Sequence, residues 1–518
     1  MTTGHAAPGL AGRPAPHVPV LLAALAGAAA AMGHAPFDLW LLTPIALAGL
    51  FGLAAAAATP RRAGLILWAG ATAYFAVSLN WIIEPFLVDA PATGWMAPFA
   101  LALMAGGLGL FWIPAGWLSA RSVPQAQTGV RLAVMAGLVL LAEALRGVVL
   151  TGFPWAHPGH ALIGSPLLPL ASLIGAQGLS AVVLGVAAGV AAFGPKAPLG
   201  ALAVLALPLV LGLAAMGLMR PAPAAAPNAP IVRLIQPNAP QHLKWRDDMI
   251  AVFFQRALDL TARETAGGGA VPELIIWPET TLPVLLEQSD LVRARIAAAA
   301  AGAQVVVGAQ RFEGFRPRNS AALLAPDGRV TAVYDKHRLV PFGEYMPGGA
   351  AAQALGLRGI AEVLAGGYAP GPGPAVLDLG ARLGRVFPMI CYEAIFARDI
   401  RRVARPDWMV QLTNDAWFGS LSGPYQHLAL ARLRAAEQGV PVLRSANTGV
   451  SAVIDARGAI VAALPLNAIG ALDAPVPPAM PPTLYARTGD APILVLVLLA
   501  TGALLASVRG TRPLRRNP

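Results

Sequence analysis

The sequence predicts a multi-pass α-helical membrane domain of eight transmembrane helices, seven before and one after a layered α/β domain. Three observations carry that expectation. Charge is scarce and uneven: 12% of the 518 residues are charged and 56% are hydrophobic, where a soluble globular chain has about 25% charged. Residues 1–220 hold 8 Lys+Arg and 4 Asp+Glu, against 29 and 22 in residues 221–518. Apolar runs of about 20 residues, the length of a bilayer crossing, recur through the first part. In the second part, short Val-, Ile- and Leu-rich runs alternate with helical stretches. An ordinary cytosolic enzyme, a disordered chain and a fibrous chain are excluded.

The seven leading apolar segments lie near 18–34, 38–58, 63–85, 96–119, 130–148, 168–193 and 198–218, and the eighth near 490–508. The first has no positive n-region and runs straight into further spans, so it reads as a span and not as a cleaved signal. Basic residues stay on the cytoplasmic side. With the N-terminus inside, Arg13, Arg61, Arg62, Arg121, Arg131, Lys196, Arg509, Arg512, Arg515 and Arg516 all fall inside, while Glu84 and Asp89 fall outside. Residues 220–485 then lie outside the cytoplasm. Glu143 and Arg146 share one helical face and are expected near the outer helix end, with their charges reaching the interface. His157 and His160 show no ligand pattern and read as interfacial.

A Pro/Ala linker, PAPAAAPNAP at 221–230, opens the water-soluble part. Strands are expected at 231–236, 273–278, 303–309, 319–325, 330–335, 375–380, 384–391, 408–413, 441–446 and 450–455, with helices near 248–266, 283–301 and 423–438. A hairpin turns at Asp327-Gly328. The domain plan is therefore 1–220 for the seven leading helices, 221–485 for the α/β domain, and 486–518 for the last helix and a basic tail.

The net charge of +11 does not indicate nucleic acid. No basic run is interleaved with aromatics, and topology accounts for many of the cations. The single cysteine, Cys391, excludes an internal disulfide and a Cys-rich metal site. Asp, Glu and His form no metal-ligand pattern, so neither metal nor organic cofactor is expected.

Three strand ends carry an unusual polar group. LIIWPET ends on Glu279, VYDKHRLVPFGEY contains Lys336, and VFPMICYE contains Cys391. Alone, each has a plain reading: a helix-capping acid, a solvated lysine, a core thiol. Together they supply what acyl transfer needs. A thiol is a weak nucleophile until its proton is removed, which Glu279 can do. Lys336 can steady the thiolate and then an oxyanion, with the Tyr392 backbone N–H. His337 points away from Lys336 by strand alternation.

The ordered set WPE (277–279), DKHRLVPFGEYMP (335–347), CYE (391–393) and NDAWFG (414–419) resembles the nitrilase, or carbon–nitrogen hydrolase, superfamily with its Glu-Lys-Cys triad. Joined to seven preceding spans and one following, it resembles the bacterial apolipoprotein N-acyltransferases. The resemblance implies an αββα nitrilase-like sandwich on the outer face of the inner membrane. It implies a thioester on Cys391, formed from a phospholipid (phosphatidylethanolamine, at sn-1) and passed to the N-terminal S-diacylglyceryl-cysteine of an apolipoprotein. By motif match Glu279 is the base, Lys336 the oxyanion residue and Cys391 the nucleophile. Glu344, Tyr392 and Glu393 match supporting residues, and Trp245 matches a tryptophan on a substrate-contacting arm. A monomer is expected, because the bilayer tether replaces the oligomerisation of soluble relatives.

The apolar, small-residue-rich loop at 347–373 is expected to be a lid that dips toward lipid. A membrane-tethered amidase acting on a small C–N compound would use the same triad but needs neither eight spans nor that loop. A transporter or scaffold with an inactive domain would not need the intact triad.

Overall fold

The computed structural model describes residues 17–194, 197–218, 220–265, 271–348 and 367–510. Most of the predicted lid, residues 349–366, lies outside the described residues, as do Arg13, Lys196, Arg512, Arg515 and Arg516.

Each predicted apolar segment contains a helix. Five helical stretches among the described residues are long and apolar enough to cross a membrane: Ala90–Ser122, Gln125–Arg146, Leu168–Phe193, Pro198–Ala215 and Ala491–Arg509. A sixth is Pro60–Ser78 taken with Asn80–Leu87, bent by 65° between them. The first two predicted spans fall short. Val18–Ala31 and Leu42–Ala55 have 14 residues each, or about 21 Å of helix against the roughly 30 Å of a bilayer core. They are held by protein, with Leu47, Leu50 and Phe51 fully buried and packing against Pro60–Ser78 and Ala171–Phe193.

Arg131 is not a loop cation. It is buried in the helix Thr128–Arg146. Its guanidinium donates to the carbonyl oxygens of Ala55, Ala120 and Val123, near the C-terminal ends of two neighbouring helices, where carbonyls lack partners and a cation is favoured.

The α/β part is built on two six-stranded sheets. The first joins β1 (Ile231–Gln236), β2 (Leu274–Ile276), β3 (Gln304–Glu313), β4 (Arg316–Leu324) and β5 (Val330–Asp335). The second joins β6 (Leu377–Asp378), β7 (Arg385–Ile390), β8 (Trp408–Thr413), β9 (Val442–Ala446), β10 (Ser451–Ile454) and β11 (Ile460–Leu464). The last strand, β12 (Gly470–Pro475), returns to pair antiparallel with β1. Strands β1, β2 and β3 run parallel, as do β7, β8 and β9.

Alternation sorts the side chains into layers. Leu274, Ile276 and Val306 face Val410, Leu412 and Leu443 in the core between the sheets. Ile275, Trp277, Val305 and Val307 face outward, under Phe254, Ala257 and Leu258 of the helix Asp247–Ala262. Met389, Met409 and Val442 do the same under Leu428, Ala431 and Ala435 of the helix Gly423–Gln438. That layering is the αββα sandwich that the family resemblance implied.

The helix Gly423–Gln438 is buried on two sides. Its other face, Leu430, Leu433 and Ala436, belongs to the same core as Leu167 and Leu179 of the apolar helices. Gln426 Nε2 donates to Ser78 O at 3.0 Å, Trp155 Nε1 donates to Gln426 Oε1 at 2.8 Å, and Ala176 N donates to Glu437 Oε1 at 3.0 Å. The sandwich and the helical part are thus bonded through one shared helix.

Candidate active site

Parallel strands bring their C-terminal ends to one edge, where open α/β sheets place ligand sites. Glu279 follows β2, Lys336 follows β5 and Cys391 follows β7. Two of these turns use left-handed backbone, at Cys391 (φ 51°) and at Thr280 (φ 47°). Such conformations are costly for residues with a Cβ and cluster at functional sites. Close packing fixes the Glu279 turn: a Cβ on Gly308 would stand 2.6 Å from Glu279 Cα.

The three predicted residues are buried together. Glu279 Oε1 accepts from Asn319 Nδ2 at 2.7 Å, and its Oε2 accepts from the backbone N of Asn414 at 2.9 Å. Lys336 Nζ stands 3.5 Å from Glu279 Oε1 and donates to Glu344 Oε1 at 2.8 Å. Glu344 is anchored in turn by Val340 N at 2.8 Å. Burial disfavours the lysine's charge, but Glu344 and Glu279 outweigh it and hold the ammonium well above the usual lysine range. Burial, then the negative charge of Glu279, pushes the Cys391 thiol well up; Lys336 and a hydrogen bond with Thr413 oppose this without winning. A thiol held in this way is neutral at rest and can act as a nucleophile only with a base to take its proton.

Glu393 ties the lysine loop to the cysteine turn. Its Oε1 accepts from Tyr334 OH at 2.9 Å and from the backbone N of His337 at 2.8 Å, while its Oε2 accepts from Ile390 N at 2.8 Å. His337 turns away from Lys336, as alternation requires, and its ring reaches Glu393 and Asp399. Burial would lower its pKa, but the bonds to those two carboxylates push it up to about 9. Tyr392 donates to Gly152 O at 3.3 Å, reaching into the helical part. A cavity of about 240 Å³ opens beside it, lined in part by Thr151, Arg316, Arg338, Tyr345 and Tyr368.

Trp245 is set apart, 41% exposed, at the end of a short helix whose Lys244 donates to Glu279 O at 3.2 Å and to Thr280 Oγ1 at 3.0 Å. Burial lowers the Lys244 ammonium to about 8, against the pull of Glu279.

The chain is 39% identical to the apolipoprotein N-acyltransferase of Caulobacter vibrioides over 94% of each chain. It is 36% identical to that of Bradyrhizobium diazoefficiens over 96% of each. Residues 26–189 match the family model of the apolipoprotein N-acyltransferase N-terminal domain, and residues 232–480 match that of the carbon-nitrogen hydrolases. The chain belongs to the apolipoprotein N-acyltransferase family. It is thus an acyltransferase, which sets aside the small-amide and inactive-scaffold readings. Among solved structures it is similar to a Nesterenkonia amidase of the nitrilase superfamily, with 21% identity, a TM-score of 0.36, and coverage of 52% of this chain and 97% of that one.

For an acyltransferase of this family, three groups of residues around the thiol went unassigned in the sequence. Asn319 and Asn414 hold the Glu279 carboxylate. His337 and Asp399 brace Glu393 and Arg338. His427 sits beneath Cys391, with Nε2 3.0 Å from Cys391 O and Nδ1 3.0 Å from Asp415 Oδ1. Asn414 and Asp415 open the NDAWFG motif, a signal that was present; His427 lies in no motif.

The helical part corrects two expectations. Glu143 and Arg146 do not reach an interface: both are fully buried, and His157 and His160 are buried as well. An i,i+3 pair reports a shared face and says nothing of what that face meets. Here it meets Trp112, whose Nε1 donates to Glu143 Oε1 at 2.8 Å, and His157, whose Nδ1 is 2.9 Å from Glu143 Oε2.

Proposed function

We propose that the protein moves a fatty acyl group from a membrane phospholipid, with phosphatidylethanolamine as donor, to the α-amine of the N-terminal S-diacylglyceryl-cysteine of an apolipoprotein. One observation carries the reading: Glu279, Lys336 and Cys391 converge in a buried site joined directly to apolar helices, so lipid-borne substrates meet a nucleophile at their own surface.

The steps balance on these side chains. Glu279 takes the Cys391 proton as sulfur adds to the ester carbonyl. Lys336 and the backbone N–H of Tyr392 steady the oxyanion. The C–O bond breaks, Glu279 returns the proton to the departing lysophospholipid oxygen, and a thioester remains. The α-amine then adds to the thioester carbonyl, giving its proton to Glu279. The C–S bond breaks, and Glu279 reprotonates the thiolate. Glu344 keeps Lys336 aimed, Glu393 keeps the lysine and cysteine loops together, and Tyr392 and Trp245 contact substrate.

The organisation that suits this reaction is residues 1–220 in the bacterial inner membrane, 221–485 on its periplasmic side, and 486–518 returning through the bilayer. That placement counts the two short helices as crossings, keeps the basic ends inside and takes the protein as a monomer. The test is intact mass spectrometry of the full chain after incubation with phosphatidylethanolamine. The expected result is one acyl group, removed by neutral hydroxylamine and absent from Cys391→Ala. An unmodified wild-type protein that still N-acylates an apolipoprotein would rule out the thioester.

A further inference from the structure

Glu143, Arg146 and His157 form a fully buried charged cluster among the apolar helices, and the steps above leave it unused. Its internal bonding is dense. Arg146 donates to Glu143 through Nε at 3.2 Å and through NH2 at 2.5 Å. Trp112 and His157 occupy the rest of the carboxylate, and Gln177 Nε2 reaches His157 Nε2 at 3.4 Å. A buried ion pair is a poor device for stability alone and is better attested where a unique geometry must be set.

One arm of the cluster leaves it. Arg146 NH1 donates to Phe153 O at 2.5 Å, and the backbone O of Arg146 accepts from Phe153 N at 3.2 Å. The chain just before Phe153 is strained: Leu150, Thr151 and Gly152 have φ of 57°, 91° and 84°. A Cβ at Gly152 would stand 2.2 Å from Gly147 O. Two consecutive side-chain-bearing residues with positive φ, Leu150 and Thr151, persist only where the surroundings over-determine them, and Arg146 holds both polar atoms of Phe153, just beyond them.

This turn touches the nucleophile's neighbour. Gly152 O accepts from Tyr392 OH at 3.3 Å. The Phe153 ring lies nearly parallel to that of Tyr392, with 6.5 Å between centroids and 22° between planes. Phe153 also stacks on Trp155, whose ring stands 5.6 Å from His427 beneath Cys391.

We propose that the Glu143–Arg146–His157 cluster is a positioning unit for the nucleophile: Arg146 fixes the Gly152–Phe153 turn, and that turn sets where Tyr392, next to Cys391, stands. The role acts through Tyr392 and rests on the thioester reading above. It makes the helical part a working component of the acylation site as well as its anchor.

The test follows acyl-adduct growth on Cys391 by time-resolved mass spectrometry, using the full chain in detergent micelles with phosphatidylethanolamine. Arg146→Lys, which keeps the charge but loses the fork, should slow adduct formation roughly ten- to hundredfold, as small misplacements do, with the KM for lipid unchanged. Combined with Tyr392→Phe it should add nothing to the loss that Tyr392→Phe causes alone. A merely structural role would multiply the two losses. Phe153→Leu leaves the cluster whole and should show the same coupling to Tyr392→Phe, so it decides the matter if Arg146→Lys does not fold. Wild-type rates in these variants, or multiplicative double variants, overturn the positioning role alone. A wild-type protein that forms no adduct overturns the thioester reading as well.

Discussion

Two buried charged clusters bear on the Cys391 turn, one through Tyr392 and one beside the thiol, and they differ in what they leave free. The Glu143 carboxylate is saturated by Trp112, His157 and two nitrogens of Arg146. The Glu279 carboxylate accepts one hydrogen bond at each oxygen, with Lys336 standing off at 3.5 Å. Glu279 therefore keeps lone-pair capacity for a proton, beside a thiol that burial keeps neutral. Chemistry and architecture can use the same residue types in the same degree of burial. What separates them is whether the acceptor sites are spent.

The contrast is sharpest in paired variants. Glu279→Gln should lower Cys391 acylation by roughly 10²- to 10⁴-fold, the range for loss of a general base, while thermal unfolding of the purified protein changes little, since Lys336 keeps Glu344. Glu143→Gln should do the reverse. It strands Arg146 in a buried site, a loss of about 3–5 kcal/mol for breaking one side of a buried pair. Its effect on acylation should stay within the smaller range assigned to positioning. Melting curves and adduct kinetics on both variants check this. If the two variants behaved alike, the distinction between spent and unspent carboxylates would fail.

The divide also marks what could be read from sequence. The convergence of Glu279, Lys336 and Cys391 was legible because each follows a strand, and β1, β5 and β8 occupy the residues the sequence pattern named. Strands β11 and β12 were not legible. GALDAP at 470–475 has no β-branched run, and its partner β1 lies more than two hundred residues earlier. Expected strand 375–380 shrinks to Leu377–Asp378, a short strand at the sheet edge that pairs with β7. The Glu143 cluster was misplaced because its other partners, Trp112 and His157, come from segments that only folding brings near. Asn319 escaped for the same reason; Asn414 stood in the NDAWFG motif, but it holds Glu279 through its backbone N–H, a contact its side-chain identity does not encode.

A second, smaller contrast lies within the α/β part, between His337 and Lys244. His337 has a folded pKa of about 9, above the 6.5 of a free histidine. The bound proton favours the folded state, so its contribution is complete below about pH 6.5 and is lost as pH rises through 9. Lys244 is shifted the other way, to about 8 from 10.5. Comparison with His337→Gln cancels the lysine. The wild type should lose its stability advantage over that variant between pH 7 and 10 in denaturant titrations. A constant difference across that range would remove the ion pairs with Glu393 and Asp399 from the account of how the cysteine turn is held.

The smallest effect is expected at Lys244, where stability and rate should part company. Its ammonium donates to Glu279 O and Thr280 Oγ1, steadying a turn with left-handed backbone at Thr280. Burial makes the charged form unfavourable in the folded state, so below about pH 8 the group opposes folding, and that opposition fades as pH rises toward 10.5. Lys244→Met removes the buried charge together with the two hydrogen bonds. At pH 7 the variant should melt no lower than wild type, yet acylate Cys391 several-fold more slowly, about the effect of one lost hydrogen bond of ordinary strength. Above pH 9 the stability comparison should swing toward the wild type. Adduct kinetics and melting curves at pH 7 and 9.5 separate the two effects. A variant that is both slower and less stable at pH 7 would make Lys244 an ordinary structural donor, and leave the Glu279 turn to its packing against Gly308 and the bonds from Asn319 and Asn414.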